Sequence, residues 1–254
     1  MKRREFVAGV VGGTAAGVAG TLGLQQLRAE PPRPEIPEFA RLSFSEQGED
    51  IVLYHALRDL LGLERPTYMD IGAAHPVLSN NTYLLYGTGS TGVLVEPSPM
   101  YVEMLRRQRP NDIVVAAGIG VTDASEADYY EIRDNPLLNT FSPEQVEMLQ
   151  RGNTGIVVER VSKMPLININ RVIDEQMDSS PDLVSTDIEG LDYAIIQTLD
   201  LDRYRPGVIC CEGVSLNPEG YQSDIARYLG AQGYVLRGGS MVNSVFVDAR
   251  RIRA

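Results

Sequence analysis

Cysteine is nearly absent from these 254 residues, and the two present, Cys210 and Cys211, are adjacent in an apolar run. Neighbouring strand residues face opposite ways, so a bridge between them would be strained. Two such thiols offer neither a disulfide framework nor zinc-ligand spacing. Positive charge is scarce as well: lysine and arginine number 23 against 34 acidic residues, a net charge of −11. Lys2, Arg3, Arg4 and Arg28 fall in the first thirty residues with only Glu5 and Glu30, which leaves 19 basic against 32 acidic residues, or −13, for the rest. So acidic a domain excludes nucleic acid as the expected partner, because nucleic acid rewards clustered lysine and arginine. Small molecules, sugars or a protein partner fit better. An internal repeat and a second linker are also missing, so one domain is expected over residues 39–254. At 43% hydrophobic residues it can bury a sizeable core.

The first 38 residues read differently. "MKRREFVAGVVGGTAAGVAGTLGL" has a basic start and then no charge from Phe6 to Leu24. Arg3-Arg4-Glu5-Phe6-Val7 resembles a twin-arginine export signal, and the glycines keep the stretch weakly hydrophobic, as in such signals. "PPRPEIP" at 31–37 is a stiff, extended linker. No clean A-x-A cleavage site follows, so an uncleaved membrane anchor is the alternative to a removed leader. Membrane association or export through this segment is expected, with a cytoplasmic domain as the other outcome.

Downstream, short apolar runs alternate with helical patterns: strands at 67–71, 92–97, 112–119, 182–190 and 207–213, with helices opened by Ser79, Ser98-Pro99 and Ser142-Pro143. A capping box at Ser43…Glu46 is expected to open the first helix. "ADYYEI" and "GIVVERV" are expected to pair, and two closing strands without a helix between them form an antiparallel edge. The pattern predicts an α/β fold of Rossmann type, a mostly parallel sheet covered on both faces.

Four of these strands end in an acid: Asp70, Glu96, Asp187 and Glu212. Ligands of open α/β sheets bind beyond the carboxyl ends of the strands. Glu96 stands where a nucleotide-binding unit places an acid that accepts hydrogen bonds from both ribose hydroxyls. The turn after the first strand, "DIGAAHP", lacks G-x-G-x-x-G and offers a pyrophosphate little. A nucleoside with a cationic amino-acid tail fits the acidic rim better, and S-adenosylmethionine is such a molecule. An NAD-dependent oxidoreductase and a non-catalytic Rossmann-type binding module are the other readings.

"SFSEQGEDIVL", "DIGAAHPVLSNNTYLLY", "GVLVEPSP", "VVAAGIG" and "DLVSTDIEGLDYAIIQTL" together resemble, in order, the FkbM-type S-adenosylmethionine-dependent methyltransferases. The resemblance implies the seven-stranded class I methyltransferase sheet, S-adenosyl-L-methionine as cofactor, and methyl transfer to a hydroxyl on a glycan or secondary metabolite. It implies that Asp70, Gly72 and Ala73 form the first cofactor motif and Glu96 binds the ribose. Ala116 and Ala117 would meet the adenine, and Gln47, Glu49 and Asp50 would stand at the methionine end. In the D-x-E-G motif, Asp187 is the expected general base and Glu189 orients the acceptor; His75 is the second candidate base. Glu212, Asn80 and Asn81 are acceptor-side candidates. Ala74-His75-Pro76 replaces the Asn and Gly common after "DIGA". Asp187, Glu189, Glu212 and His75 show no ligand spacing that would assign a metal.

Overall fold

The computed structural model describes residues 41–152, 155–188, 190–212 and 224–252. The expectations for residues 1–38, for Glu189 and for the last residue of the strand expected at 207–213 lie outside them. Among the described residues no helix is long and apolar enough to cross a membrane.

In chain order the elements are α1 (Glu49–Tyr54), extended by a π-helical turn (His55–Leu60), β1 (Tyr68–Ile71), α2 (Tyr83–Gly87), β2 (Gly92–Val95), α3 (Pro99–Gln108), β3 (Ile113–Val115), β4 (Gly118–Ile119), β5 (Glu126–Ile132), α4 (Pro143–Gly152), β6 (Val158–Ile167), α5 (Ile169–Gln176), β7 (Leu183–Thr186), α6 (Asp192–Thr198), β8 (Val208–Glu212), α7 (Asp224–Ala231), β9 (Tyr234–Gly239) and β10 (Asn243–Asp248). A seven-stranded sheet has the order β3-β2-β1-β7-β8-β10-β9. β1 pairs in parallel with β2 on one side and β7 on the other, so the strand order reverses there. The closing hairpin supplies the antiparallel edge, with β10 running against both β8 and β9.

Strand alternation divides the core into two layers. Met69, Ile71, Val95 and Cys211 pack with α5, α6 and α7 on one face. Tyr68, Leu94 and Cys210 pack with α1, α2 and α3 on the other. The adjacent cysteines thus point to opposite faces, both free and buried, as the period of two requires.

Three local expectations are corrected. Residues 112–119 are not one strand: the chain leaves the main sheet after Val115, and β4 joins a three-stranded sheet of order β4-β6-β5. In that sheet the expected β5–β6 pairing is antiparallel. Ser79 does not open a helix. It sits at φ 50°, and α2 begins only at Tyr83. Nor do Ser43 and Glu46 form a capping box: α1 begins after a left-handed Gly48 (φ 94°), and Asp50 instead gathers the Ser43 hydroxyl (2.7 Å), the Phe44 N–H (2.7 Å) and the Ser45 hydroxyl (2.9 Å). Ser142 does cap α4, its hydroxyl accepting the N–H of Gln145 (3.1 Å).

Candidate active site

Gly72 turns the chain at the end of β1. Its φ is +80°, and a Cβ there would lie 2.1 Å from the Asp187 carbonyl oxygen and 2.8 Å from Ile188 Cγ2. Only glycine accepts both the left-handed backbone and that approach. Its N–H donates to the Val95 carbonyl (2.9 Å), so three strand ends meet at one residue. The small residues of "DIGAA" therefore serve first to bring backbone against backbone.

Glu96, just past β2, is held by the same corner. Ala74, left-handed at φ 45°, donates its N–H to one carboxylate oxygen (2.9 Å), and the Ser98 N–H donates to the other (2.7 Å). The side chain is 3% exposed. Burial outweighs those two bonds and, with some help from the charge of Asp70, pushes its pKa up to about 7. Each oxygen accepts one backbone N–H and keeps a second lone pair for a ligand.

Glu96 lines a cleft. Ile71, Val95, Ile119 and Ile195, all from the α5–α7 core layer, form apolar wall. Tyr101 and Ala117 line it from the chain beyond β2 and β3, and residues 136–141 with Tyr129 cover it. Tyr129 and Phe141 are in tilted ring contact at 4.8 Å between centroids. Burial raises the Tyr129 phenol well above its ordinary pKa, so it stays a neutral donor. A second, polar cavity shares Gly72, Ala74, Leu137 and Asp187 with the first. It adds Glu46, Asp70, Ser79, Asn80 and Asn81. Among the described residues that line either cavity there is no lysine or arginine.

The expected site residues separate into groups. Glu96, Asp187, Gly72 and Ala117 line the main cleft, and Ala73, Asp70, Asn80 and Asn81 line only the polar cavity. Asp70 lines the polar cavity from inside β1. It alternates with Met69 and Ile71 and so faces the α1–α3 layer, where Thr82 donates to it (2.6 Å). Burial raises its pKa, against that bond and the nearby charge of Arg109. Asn80 is spent on the fold: its amide donates to the Ala73 carbonyl (2.9 Å), and its oxygen accepts from Thr82 N–H (3.1 Å) and Arg109 (3.0 Å). Asn81 reaches the Ser185 hydroxyl (3.4 Å).

Other expectations fail on geometry. Ala116 is exposed and lines a separate surface depression with Arg106 and Pro165, so only Ala117 faces the cleft. The His75 ring lines neither cavity. Its Nδ1 accepts the N–H groups of Val77 (3.1 Å) and Leu78 (2.9 Å), which fixes the proton of the neutral ring on Nε2 and leaves no basic nitrogen to spare. Burial lowers its pKa further. His75 holds the turn. Glu212 pairs with Asn243 across β8 and β10 and is in neither cavity.

Gln47, Glu49 and Asp50 form a clasp rather than a lining. The Gln47 side-chain oxygen accepts the Met241 N–H (3.0 Å), and Glu49, wholly buried, accepts the Gln47 N–H (3.0 Å) and the Ser240 hydroxyl. Burial alone would raise the pKa of Glu49, yet the Ser240 and Gln47 bonds hold it below the ordinary value. Ser240 in turn accepts the N–H groups of Val242 (3.2 Å) and Asn243 (3.1 Å). That fixes the β9–β10 turn, and Asn243 from it sets its amide nitrogen 3.5 Å from an Asp187 carboxylate oxygen.

Two contributors carried no sequence signal. Arg109, fully buried, pairs with Asp112 (2.7 Å) and donates to Tyr68 (2.8 Å), Thr82 (3.0 Å) and Asn80. It supplies the positive charge that lets Asp70 and Asp112 be buried together. Asn243 looks in the sequence like one polar position of an alternating strand; only the hairpin geometry brings it to Asp187.

The reversal of strand order at β1, the single antiparallel strand β10 and an acid past β2 facing the cleft define the class I methyltransferase fold, the fold of S-adenosylmethionine-dependent enzymes. The chain belongs to the FkbM methyltransferase family: the family model described as Methyltransferase FkbM domain matches residues 70–236. Among solved structures it is similar to the methyltransferase FkbM from Methylobacillus flagellatus KT, at 13% identity and a TM-score of 0.44 over 72% of this chain and 44% of that one. The chain thus spans less than half the length of that protein. It is also similar to a precorrin-6y C5,15-methyltransferase from Geobacter metallireducens GS-15 (15% identity, TM-score 0.43, 83% and 93% of the two chains). A third is an O-methyltransferase from Bacillus cereus in complex with SAH (13% identity, TM-score 0.38, 84% of each chain). A search of curated proteins gives no match.

Proposed function

We propose that the chain binds S-adenosyl-L-methionine in the cleft beside Glu96 and methylates a hydroxyl group of a small-molecule or glycan acceptor. The observation that carries this is the Glu96 carboxylate. Buried, fixed by two backbone N–H groups, lining the cleft and, when ionised, an acceptor only, it suits a vicinal pair of ribose hydroxyls. The walls at Tyr101, Ala117 and Ile119 suit a flat, uncharged base. The acidic lining of the adjoining cavity, with no basic side chain described in it, suits a cationic tail and disfavours the diphosphate of a nicotinamide cofactor.

Bound there, the cofactor supplies an electrophilic methyl group on a sulfonium. Asp187, which lines both cavities, takes the proton from the acceptor hydroxyl. The Asn243 amide restrains its carboxylate from the side. The walls exclude water and hold the two reactants in one geometry, a contribution that suits in-line transfer. Titration calorimetry with S-adenosylmethionine and NADH tests the cofactor: binding of the first and not the second is expected, and the opposite result overturns the proposal. Asp187→Asn is expected to lower methyl transfer about 10²- to 10⁴-fold while leaving cofactor affinity near wild type.

A further inference from the structure

Gly72, Ala74, Leu137 and Asp187 line both cavities and so stand where the two meet. Gly72 and Ala74 belong to the turn after β1, and Asp187 follows β7, so these three rest on the main sheet. Leu137 comes from outside it, from the 3-10 turn Pro136–Leu138 that follows β5. It is also the exposed member of the group: 43% of its surface is open to solvent, whereas the other three are half-buried. Single exposed leucines are ordinary. One that touches two cavities has apolar surface left to bury at the point where they join.

The attachment of the turn decides which part of it can move. Its far end is fixed: Thr140 is buried and pairs with Tyr130, and the Phe141 ring lies so close to Gly118 that a Cβ there would come within 2.4 Å of it. Its near end bends at Asp134, left-handed at φ 60°, a conformation that Asp tolerates better than most residues. Between these points the N–H groups of Leu138 (3.1 Å) and Asn139 (3.4 Å) bond to carbonyls of the turn's own residues, Asn135 and Pro136. The tip that carries Leu137 can therefore shift without parting any strands.

We infer that Leu137 is the closing residue of the site: with S-adenosyl-L-methionine bound, the tip of this turn settles inward and Leu137 is buried over the junction of the two cavities, beside Asp187. This rests on the cofactor reading proposed above and adds to it the group that shuts water away from the base. A dry junction strengthens the pull of Asp187 on the acceptor proton, which bulk water would screen. The chain has no tryptophan, so Leu137→Trp places the protein's only indole at this point. Its emission is expected to move to shorter wavelength when S-adenosylmethionine is added, while that of Val161→Trp, at an exposed position of β6, stays unchanged. An indole is bulkier than leucine, so amide exchange in the unaltered chain gives an independent reading. With saturating cofactor the N–H groups of Leu138 and Asn139 are expected to exchange about tenfold more slowly. Leu137→Ala should weaken cofactor binding about fivefold, the share of a leucine's burial still outstanding, yet leave the urea midpoint without cofactor unchanged. Calorimetry on the same samples separates two failures. No heat of binding overturns the cofactor reading, and this inference with it. Binding with unchanged exchange at Leu138 and Asn139, or with wild-type affinity in Leu137→Ala, overturns the closing role alone.

Discussion

Glu96 couples the cleft to pH. In the fold it titrates near 7 against an ordinary value of 4.5, so between those values the folded state holds a proton that the unfolded chain has lost. The stability from this source is complete below about pH 4.5 and lost as pH rises through 7, about 3 kcal/mol in all. Hydroxyl donors prefer the ionised form, so affinity for S-adenosylmethionine is expected to run the other way and rise with pH through about 7. Glu96→Gln should flatten that profile and weaken binding roughly 10- to 100-fold, the scale of a hydrogen bond to a charged group; calorimetry from pH 5.5 to 8.5 reads both. Arg109 is a stability residue by the same logic. Arg109→Met leaves Asp70 and Asp112 buried without their countercharge and is expected to cost about 3–5 kcal/mol in urea unfolding. Glu96 and Asp187 were legible as candidates because open α/β sheets bind ligands beyond the carboxyl ends of their strands, and both line the main cleft. Nothing in the sequence signalled that Asp70 lies inside β1, in register with Leu94 and Ser185 and so two positions short of the places that Glu96 and Asp187 hold past their strands.

At the scale of elements, the strands and the order of strand and helix were legible because apolar runs and caps are local signals. The break between β3 and β4 was not: "IVVAAGI" has no polar side chain to mark it, and the second half pairs with β6 instead. The Q-x-E-D segment was legible as a motif but its structural partners were not, since those of Gln47 and Glu49 lie some 190 residues on, at Met241 and Ser240. Its work is to fix the β9–β10 turn. Ser240→Ala removes a donor from the buried Glu49 carboxylate and is expected to cost about 1–3 kcal/mol. Amides of Val242 and Asn243 should then exchange with deuterium faster than in the wild type, while those of β1 and β7 keep their protection.

For the whole molecule, the proposed cofactor would make net charge a selector. S-adenosylmethionine carries one more positive charge than S-adenosylhomocysteine, and the field of a −13 domain favours the former. The ratio of the two affinities is expected to fall as salt rises from 0.05 to about 1 M, where the screening length shrinks to about 3 Å; a ratio that ignores salt would refute field selection. The two sheets divide the labour of the cleft. The floor belongs to the parallel sheet, whereas residues 136–141 hang from β5 by the Tyr130–Thr140 bonds (2.9 and 3.2 Å) and by Ile132 N–H on the Asn139 side chain (2.7 Å). Raising that flap therefore breaks no rung of the main ladder. For the proposed cofactor, this segment would give the spent nucleoside an exit that costs only those few bonds and leaves the floor intact.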